Sequence, residues 1–370
     1  MTAAFRRRAL AIALVALSTL FFLVDPPRSE AKASLKQMIA ARQRFFGKQN
    51  VNPSSGTVRS DRVILSWFSV ANYAASFNGH VVLVDAWVAR GSHEGYVPTT
   101  PEEVAALRPE YIFIGHGDFD HAADAAEIAS LSGATIVGTP EHCASIRNQA
   151  GSDKIPCEEV APEGAPPGIA KDLRLIPGVE VTSVTHLHSS FERPEQQDGG
   201  RLPCIPVWPF EDTLEHPPSA EAFTHLLRHL PDARGGNVLY QFRVGDFALA
   251  WHDTTGKINE DAPQAVKVLK TLPPTDVHFG AILAFGQVTN CFRSLRAYID
   301  ALSAKVFVAT HHDNFTYFIG ANAEDLEPYV REELARIPKK QRPKLIYTYD
   351  PKDYLNPEPF TFDPEAKSWK

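Results

Sequence analysis

Four apolar runs of this chain each end in histidine and aspartate. The first is "YIFI", which is followed directly by "GHGDFDHAAD" at residues 115–124. The runs "VEVTSVTHLH", "FALAWHD" and "KVFVATHH" end in the same way. Short apolar runs between turn residues are typical of buried strands, and helical patterns alternate with them, so the pattern predicts an α/β fold. Because sites in α/β sheets lie at one set of strand ends, these side chains are expected to converge.

The candidate site residues at these strand ends combine imidazole and carboxylate. They are His116, Asp118, Asp120, His121, His186, His188, His252, Asp253, His311 and His312. Together these ligand types suit Zn²⁺, Mn²⁺ or iron. The sequence therefore predicts a metal site.

The N-terminal segment is typical of an export signal. Arg6–Arg8 precede about sixteen mostly apolar residues, and Ala31 and Ala33 frame a small-residue cleavage site. We predict a signal peptide over residues 1–33 and a single exported domain, periplasmic or secreted, over residues 34–370. An uncleaved N-terminal membrane anchor is the alternative, although the apolar run is short for a membrane span.

Charge argues against nucleic acid and anionic membranes as the main partners. The chain has a formal net charge of −7, and residues 1–33 hold five basic and two acidic side chains, so the remainder carries −10. Binding to polyanions needs the opposite sign. We expect a small-molecule substrate and no stable membrane insertion after cleavage. The sequence makes no prediction of oligomeric state.

The sequence predicts a hairpin and a long loop in two segments. The run from Arg62 to Val88 is expected to form one hairpin that turns at Asn78–Gly79, a favoured tight turn. The Pro-rich stretch at about 191–236, interrupted by one helical pattern, is expected to be a lid or binding loop within the domain.

The four cysteines all lie in the part predicted to be exported, where disulfides form readily. We expect Cys143 to pair with Cys157, and Cys204 with Cys291. Four buried free thiols are the alternative, since pairing cannot be deduced from sequence alone.

The ligand order resembles that of the metallo-β-lactamase superfamily. The chain has His-x-Asp-x-Asp-His, then a later His, an Asp and a last His, and the resemblance covers roughly residues 60–315. It includes "VVLVDAW", whose Asp85 stands where that family keeps a supporting carboxylate. "GHGDFDHAAD", "WHDTTG" and "THHDNF" look most like the group that includes ascorbate-phosphate lactonase and phospholipase-D-like hydrolases.

The resemblance implies a four-layer αβ/βα sandwich and two divalent metal ions, Zn²⁺ first and Mn²⁺ or iron as alternatives. Carried over residue by residue, one metal would be held by His116, Asp118 and His188, the other by Asp120, His121 and His311, with Asp253 bridging. His188 is preferred over His186 because the family's His often precedes a small residue, and His311 over His312 because it follows Thr310. His186, His252 and His312 are then expected to orient the ligands or to replace them.

The resemblance also implies hydrolysis. A hydroxide between the metals would attack a small ester, lactone or phosphodiester, and Asp120 would accept the water's hydrogen bond or relay its proton. A non-catalytic metal or small-molecule binding protein on the same fold is the alternative function.

Asp118 departs from the family's common pattern, which has a second histidine there. A carboxylate is a harder ligand than imidazole, so the first site is expected to favour Mn²⁺ or iron, or to bind weakly. Alternatively, Asp118 binds nothing and the site is mononuclear or degenerate.

Overall fold

The apolar runs form strands of two seven-stranded mixed sheets in the computed structural model, which describes residues 32–90, 96–191, 214–282, 291–315 and 322–366. In the order in which its strands lie side by side, the first sheet consists of β14 (Thr361–Phe362), β1 (Val63–Ser69), β2 (Asn72–Phe77), β3 (His80–Val84), β4 (Tyr111–Phe113), β5 (Thr135–Gly138) and β6 (Cys157–Glu159). The second consists of β13 (Lys344–Ile346), β12 (Val306–Thr310), β11 (Val277–Ala281), β10 (Phe247–His252), β9 (Asn237–Val244), β8 (Val179–His186) and β7 (Ala170–Ile176).

Helices connect the strands. In the described residues they are α1 (Leu35–Phe46), α2 (Pro101–Ala106), α3 (Phe119–Ala122), α4 (Ala125–Ser132), α5 (Pro140–Ala150), α6 (Ala220–His229), α7 (Ile258–Asp261), α8 (Pro263–Leu269), α9 (Arg293–Leu302) and α10 (Ala323–Ala335). Single 3₁₀ turns cover Lys48–Asn50 and Glu358–Phe360. The ends of several helices follow local chemistry: Ser34 and Gln37 form a capping box at α1, and Gly133 ends α4 in the left-handed conformation.

The two sheets pack face to face through aromatic side chains. Phe77 stacks on Phe242 with ring centroids 4.5 Å apart, and Tyr73 meets Phe279 at 5.2 Å. Helices α1, α2, α4 and α5 cover the outer face of the first sheet, and α8, α9 and α10 cover that of the second. This is the four-layer αβ/βα sandwich, so the predicted fold class is confirmed.

The prediction of a single hairpin between Arg62 and Val88 is wrong. The segment forms three strands, because the chain also turns at Val70–Ala71, between β1 and β2. Val70 has φ 45°, which is rare for a β-branched residue. Its N–H donates to Asp313 and its carbonyl accepts from the N–H of His311, so contacts distant in sequence hold this turn. The turn at Asn78–Gly79 is present as predicted.

The disulfide between Cys143 and Cys157 is present, with Cα atoms 6.0 Å apart. It links α5 to β6, and it confirms the first predicted pair. The pair of Cys204 with Cys291 stays a prediction, because Cys204 lies outside the described residues.

The predicted signal peptide is not tested, since residues 1–31 lie outside the described residues. The predicted lid or binding loop is not tested either, because residues 192–213 of the Pro-rich stretch lie outside them as well. None of the described helices is both long enough and apolar enough to cross a bilayer.

Candidate metal centre

The sheet topology brings the four strand ends together. β8 and β10 are both antiparallel to β9, and β10, β11 and β12 are parallel, so β8, β10 and β12 all end at one edge of the second sheet. The segment after β4 reaches this edge from the first sheet, where the N–H of Val238 in β9 donates to the carbonyl of Gly115. Three overlapping groups of side chains result, each compact enough to hold one metal ion.

The first group consists of His116, Asp118 and His188. The two Nε2 atoms lie 3.2 Å apart, and Asp118 Oδ2 lies 3.4 Å from that of His116 and 3.5 Å from that of His188. A tetrahedral ion with bonds of about 2.1 Å separates its ligand atoms by about 3.4 Å. The three atoms therefore have the spacing of three ligands to one ion.

The second group consists of Asp120, His121 and His311. Asp120 Oδ2 lies 3.4 Å from the Nε2 atom of each histidine. His311 has φ 57°, and its backbone N–H is bonded to Val70, so the turn between β1 and β2 fixes the direction of this side chain.

Asp253 lies between the two groups and joins His116 and His121 in the third. Its Oδ2 accepts a hydrogen bond from His116 Nδ1 at 2.6 Å, while Oδ1 is fully buried with no partner among the described residues. Gly115 makes this approach possible, because a Cβ there would lie 2.1 Å from Asp253 Oδ2. A buried carboxylate oxygen without a partner is costly, and a cation would satisfy it.

Asp85 supports His121 from behind. This buried residue has φ 56°, accepts from the N–H of Gly115 through Oδ1, and accepts from His121 Nδ1 at 2.7 Å through Oδ2. Such carboxylate–histidine pairs fix the tautomer that leaves Nε2 free for a metal. Asp85 thus lies where the resemblance places its supporting carboxylate.

The charges of the site keep the Asp253 carboxylate ionised, whereas burial raises the pKa of Asp85 to about 8. Burial alone would raise the pKa of Asp253, but the neighbouring His116 and His121 hold it well below its usual range. Burial lowers the pKa of His116, yet the Asp253 and Asp118 carboxylates outweigh it and raise that pKa to about 9. In the described chain, neither lysine nor arginine pairs with Asp85, Asp120 or Asp253. The donor set therefore fits divalent cations.

The alternative ligands lie outside the three groups. His186 Nδ1 bonds the hydroxyl of Tyr298, and His252 bonds the carbonyl of Thr254 and the ring of His278. His312 Nε2 donates to the carbonyl of Thr348, and its ring stacks on Trp67. The structure places His188 and His311 in the groups instead. Metal binding by each residue stays a prediction.

Arg234, whose side chain contacts Asp118, was not predicted from the sequence. It lies at the end of the irregular stretch, in "ARGG" directly before β9. The paired glycines were the only signal, since they mark a close approach of the main chain. Asp124, whose buried carboxylate accepts from Arg90 and bonds His225, was not predicted either.

Part of the chain is similar to proteins described as metal-dependent hydrolases. No family model matches the chain. A UPF0173 metal-dependent hydrolase from Pyrobaculum neutrophilum is 33% identical over 128 residues, 34% of this chain and 51% of the relative. An Exiguobacterium protein of the same description is 35% identical over 77 residues, 21% of this chain and 32% of the relative. The chain thus spans about half the length, or less, of these curated relatives.

The fold is similar to that of Igni18, a metallo hydrolase from Ignicoccus hospitalis. The TM-score is 0.50 at 16% identity, over 78% of this chain and 95% of that one. These similarities support the resemblance to the metallo-β-lactamase superfamily. The narrower resemblance to its ascorbate-phosphate lactonase and phospholipase-D-like group stays a prediction.

Proposed function

We propose that this chain is a hydrolase of the metallo-β-lactamase superfamily with a dinuclear metal centre. The observation that carries the proposal is the division of the ligand-type side chains into two triangular groups on either side of Asp253, whose Oδ1 atom is buried without a partner among the described residues. The description of the similar proteins as metal-dependent hydrolases supports it.

His116, Asp118 and His188 would hold one cation, and Asp120, His121 and His311 the other, with Asp253 between them. Divalent cations bound there supply acidified water and polarise the oxygen of a bound carbonyl or phosphoryl group.

The protein's own groups hold this arrangement in place. Asp253 and Asp85 accept the Nδ1 hydrogens of His116 and His121, and the carbonyl of Ser189 accepts that of His188, so each ring turns Nε2 toward the cations. Asp120 would accept the hydrogen bond or the proton of the attacking water through its carboxylate. The Asn72 side chain holds the Asp120 carbonyl at 3.0 Å, which fixes this residue at the start of α3.

We propose a small ester, lactone or phosphodiester as the substrate, and an exported location. The disulfide supports export, because such bonds persist outside reducing compartments. The predicted signal peptide belongs to the same proposal.

A substrate panel tests the proposal directly. Full-length protein is assayed on aryl esters, lactones and a bis-aryl phosphodiester, before and after chelation, beside Asp253→Ala and His121→Ala. We expect turnover that chelation removes, that Zn²⁺ or Mn²⁺ restores, and that both variants lack. Turnover that neither chelation nor the two substitutions change would contradict the proposal of a metal-dependent hydrolase. Tight metal binding without turnover would favour the non-catalytic binding protein.

A further inference from the structure

The side chain of Arg234 shares an oxygen with the first metal group. Its Nε lies 3.0 Å from both carboxylate oxygens of Asp118, and its Nη2 lies 3.0 Å from Oδ2. Oδ2 is also the oxygen that faces the Nε2 atoms of His116 and His188. The guanidinium therefore binds the same atom that a metal ion would use.

The main chain holds Arg234 at this place. Its carbonyl accepts from the N–H of Gly117 at 2.7 Å and bonds His142 Nε2 at 3.0 Å. A Cβ at Gly117 would lie 2.3 Å from the carbonyl oxygen of Ala233, so only glycine permits this contact. Because these bonds do not involve the guanidinium, a substitution of the Arg234 side chain is expected to leave the backbone in place.

The charges of Asp118 and Arg234 cancel. The superfamily's common pattern has a neutral imidazole where this chain has Asp118, and a carboxylate alone would add one negative charge to that site. The guanidinium restores neutrality and draws electron density from Oδ2, which weakens that oxygen as a ligand.

We propose that Arg234 compensates the charge of Asp118, so that the two side chains together act as one neutral metal donor in place of the second histidine. Arg234 is then a positioning residue that lowers the affinity of the first site and reduces its preference for hard cations. The inference rests on the proposed dinuclear centre.

The pair is open enough to be substituted cleanly. The Arg234 side chain is 46% exposed and that of Asp118 is 25% exposed. Ion pairs of this kind contribute little to folding stability. Arg234→Gln is therefore expected to fold, and a change in its metal binding would report the charge.

The test is a metal titration of full-length protein in chelator-buffered solutions, with Zn²⁺ and Mn²⁺ measured separately. We expect Arg234→Gln to lower the Kd of the first site by about tenfold, because neighbours of metal ligands change affinity by this order. The change is expected to be larger for Mn²⁺ than for Zn²⁺. Arg234→Lys keeps the charge and is expected to stay near wild type. D118H alone should weaken the site, because Arg234 would then oppose the cation unpaired, and D118H/R234Q should restore it.

Arg59→Gln is the matched control, since Arg59 is an exposed arginine paired with Asp61 in the segment before β1. If Arg234→Gln leaves the metal affinity of the first site unchanged, the inference is overturned. A lower affinity would also overturn it, because Arg234 would then only orient Asp118. If wild type binds two metals and turns over substrate, that result leaves the proposed function standing. If wild type binds no metal, both fail.

Discussion

At the scale of single residues, the buried carboxylates decide which nitrogen of each histidine faces the candidate metals. Asp85 and Asp253 accept the Nδ1 hydrogens of His121 and His116 at 2.7 and 2.6 Å. Two buried aspartates that contact two histidines would destabilise a simple apolar core, because ionised groups lose their hydration there. Their presence is explained by cations in front of the rings.

Asp85→Asn tests this orientation. The amide keeps the size of the side chain but loses the charge and one acceptor, so we expect metal affinity to fall by about 10–100-fold with the fold retained. Competition with a chelator gives the Kd, and circular dichroism checks the fold. Asp61→Asn, an exposed aspartate paired with Arg59, is the control. An unchanged Kd would contradict the role given to Asp85.

Metal binding is expected to release protons. At pH 7 the metal-free His116 is protonated, because its pKa is raised to about 9, and His121 is too, because Asp120 and Asp85 outweigh burial and raise its pKa well above the usual value. A bound cation displaces these protons, so affinity rises with pH until both pKa values are passed. Calorimetry in buffers of different protonation enthalpy measures the number of protons released. A metal affinity that is the same at about pH 6 and about pH 8 would contradict this release of protons.

At the scale of elements, the segment from β4 to α3 is fixed by close contacts at two of its glycines, where a side chain would not fit. Gly115 admits the Asp253 carboxylate, and Gly117 admits the carbonyls of Ala233 and Arg234. The segment is therefore clamped between β10 and the residues before β9. Its ligands stay close together because of this clamp.

Gly117→Ala is expected to destabilise the protein by about 1–3 kcal/mol, since backbone atoms must move to admit the new methyl group. Metal affinity should fall as well, because the same segment carries His116 and Asp118. Gly164→Ala is the comparison: it has a left-handed φ of 64° but no atom within 4 Å of the new Cβ. Alanine at the left-handed φ of Gly164 also costs stability, so metal titration is the deciding measurement and Gly164→Ala should keep the wild-type affinity. An equal loss of metal affinity in both variants would count against the clamp.

The disulfide joins α5 to β6 at the edge of the first sheet. Replacing Cys143 and Cys157 together by alanine opens a loop of 14 residues and is expected to cost about 3 kcal/mol of unfolding free energy. Denaturant unfolding measures this, and the metal Kd should stay unchanged because neither residue is in the metal groups. A loss of metal binding without a loss of stability would be the contrary result.

The sequence predicted those elements whose signals are local. Strong apolar runs predicted the strands that end in histidine and aspartate, and Asn78–Gly79 predicted a turn. The turn at Val70–Ala71 has no such signal, since it depends on Asp313 and His311 more than 200 residues away. Arg234 was missed for the same reason: its partner is 116 residues distant, in the other half of the chain.

At the scale of the whole molecule, the two sheets act as a frame that brings distant segments to one edge. The first sheet supplies His116, Asp118, Asp120 and His121, and the second supplies His188, Asp253 and His311. The sequence predicted this convergence from strand ends alone. The order of strands across each sheet could not be predicted, because it depends on pairings such as β14 with β1, between residues about three hundred apart.

Metal content is the most direct test of the central claim. Full-length protein is dialysed against trace-metal buffer, and its metals are measured by inductively coupled plasma mass spectrometry. We expect close to two equivalents of divalent metal per chain, and fewer in His121→Ala. Protein that retains no metal and takes up neither Zn²⁺ nor Mn²⁺ would contradict this claim.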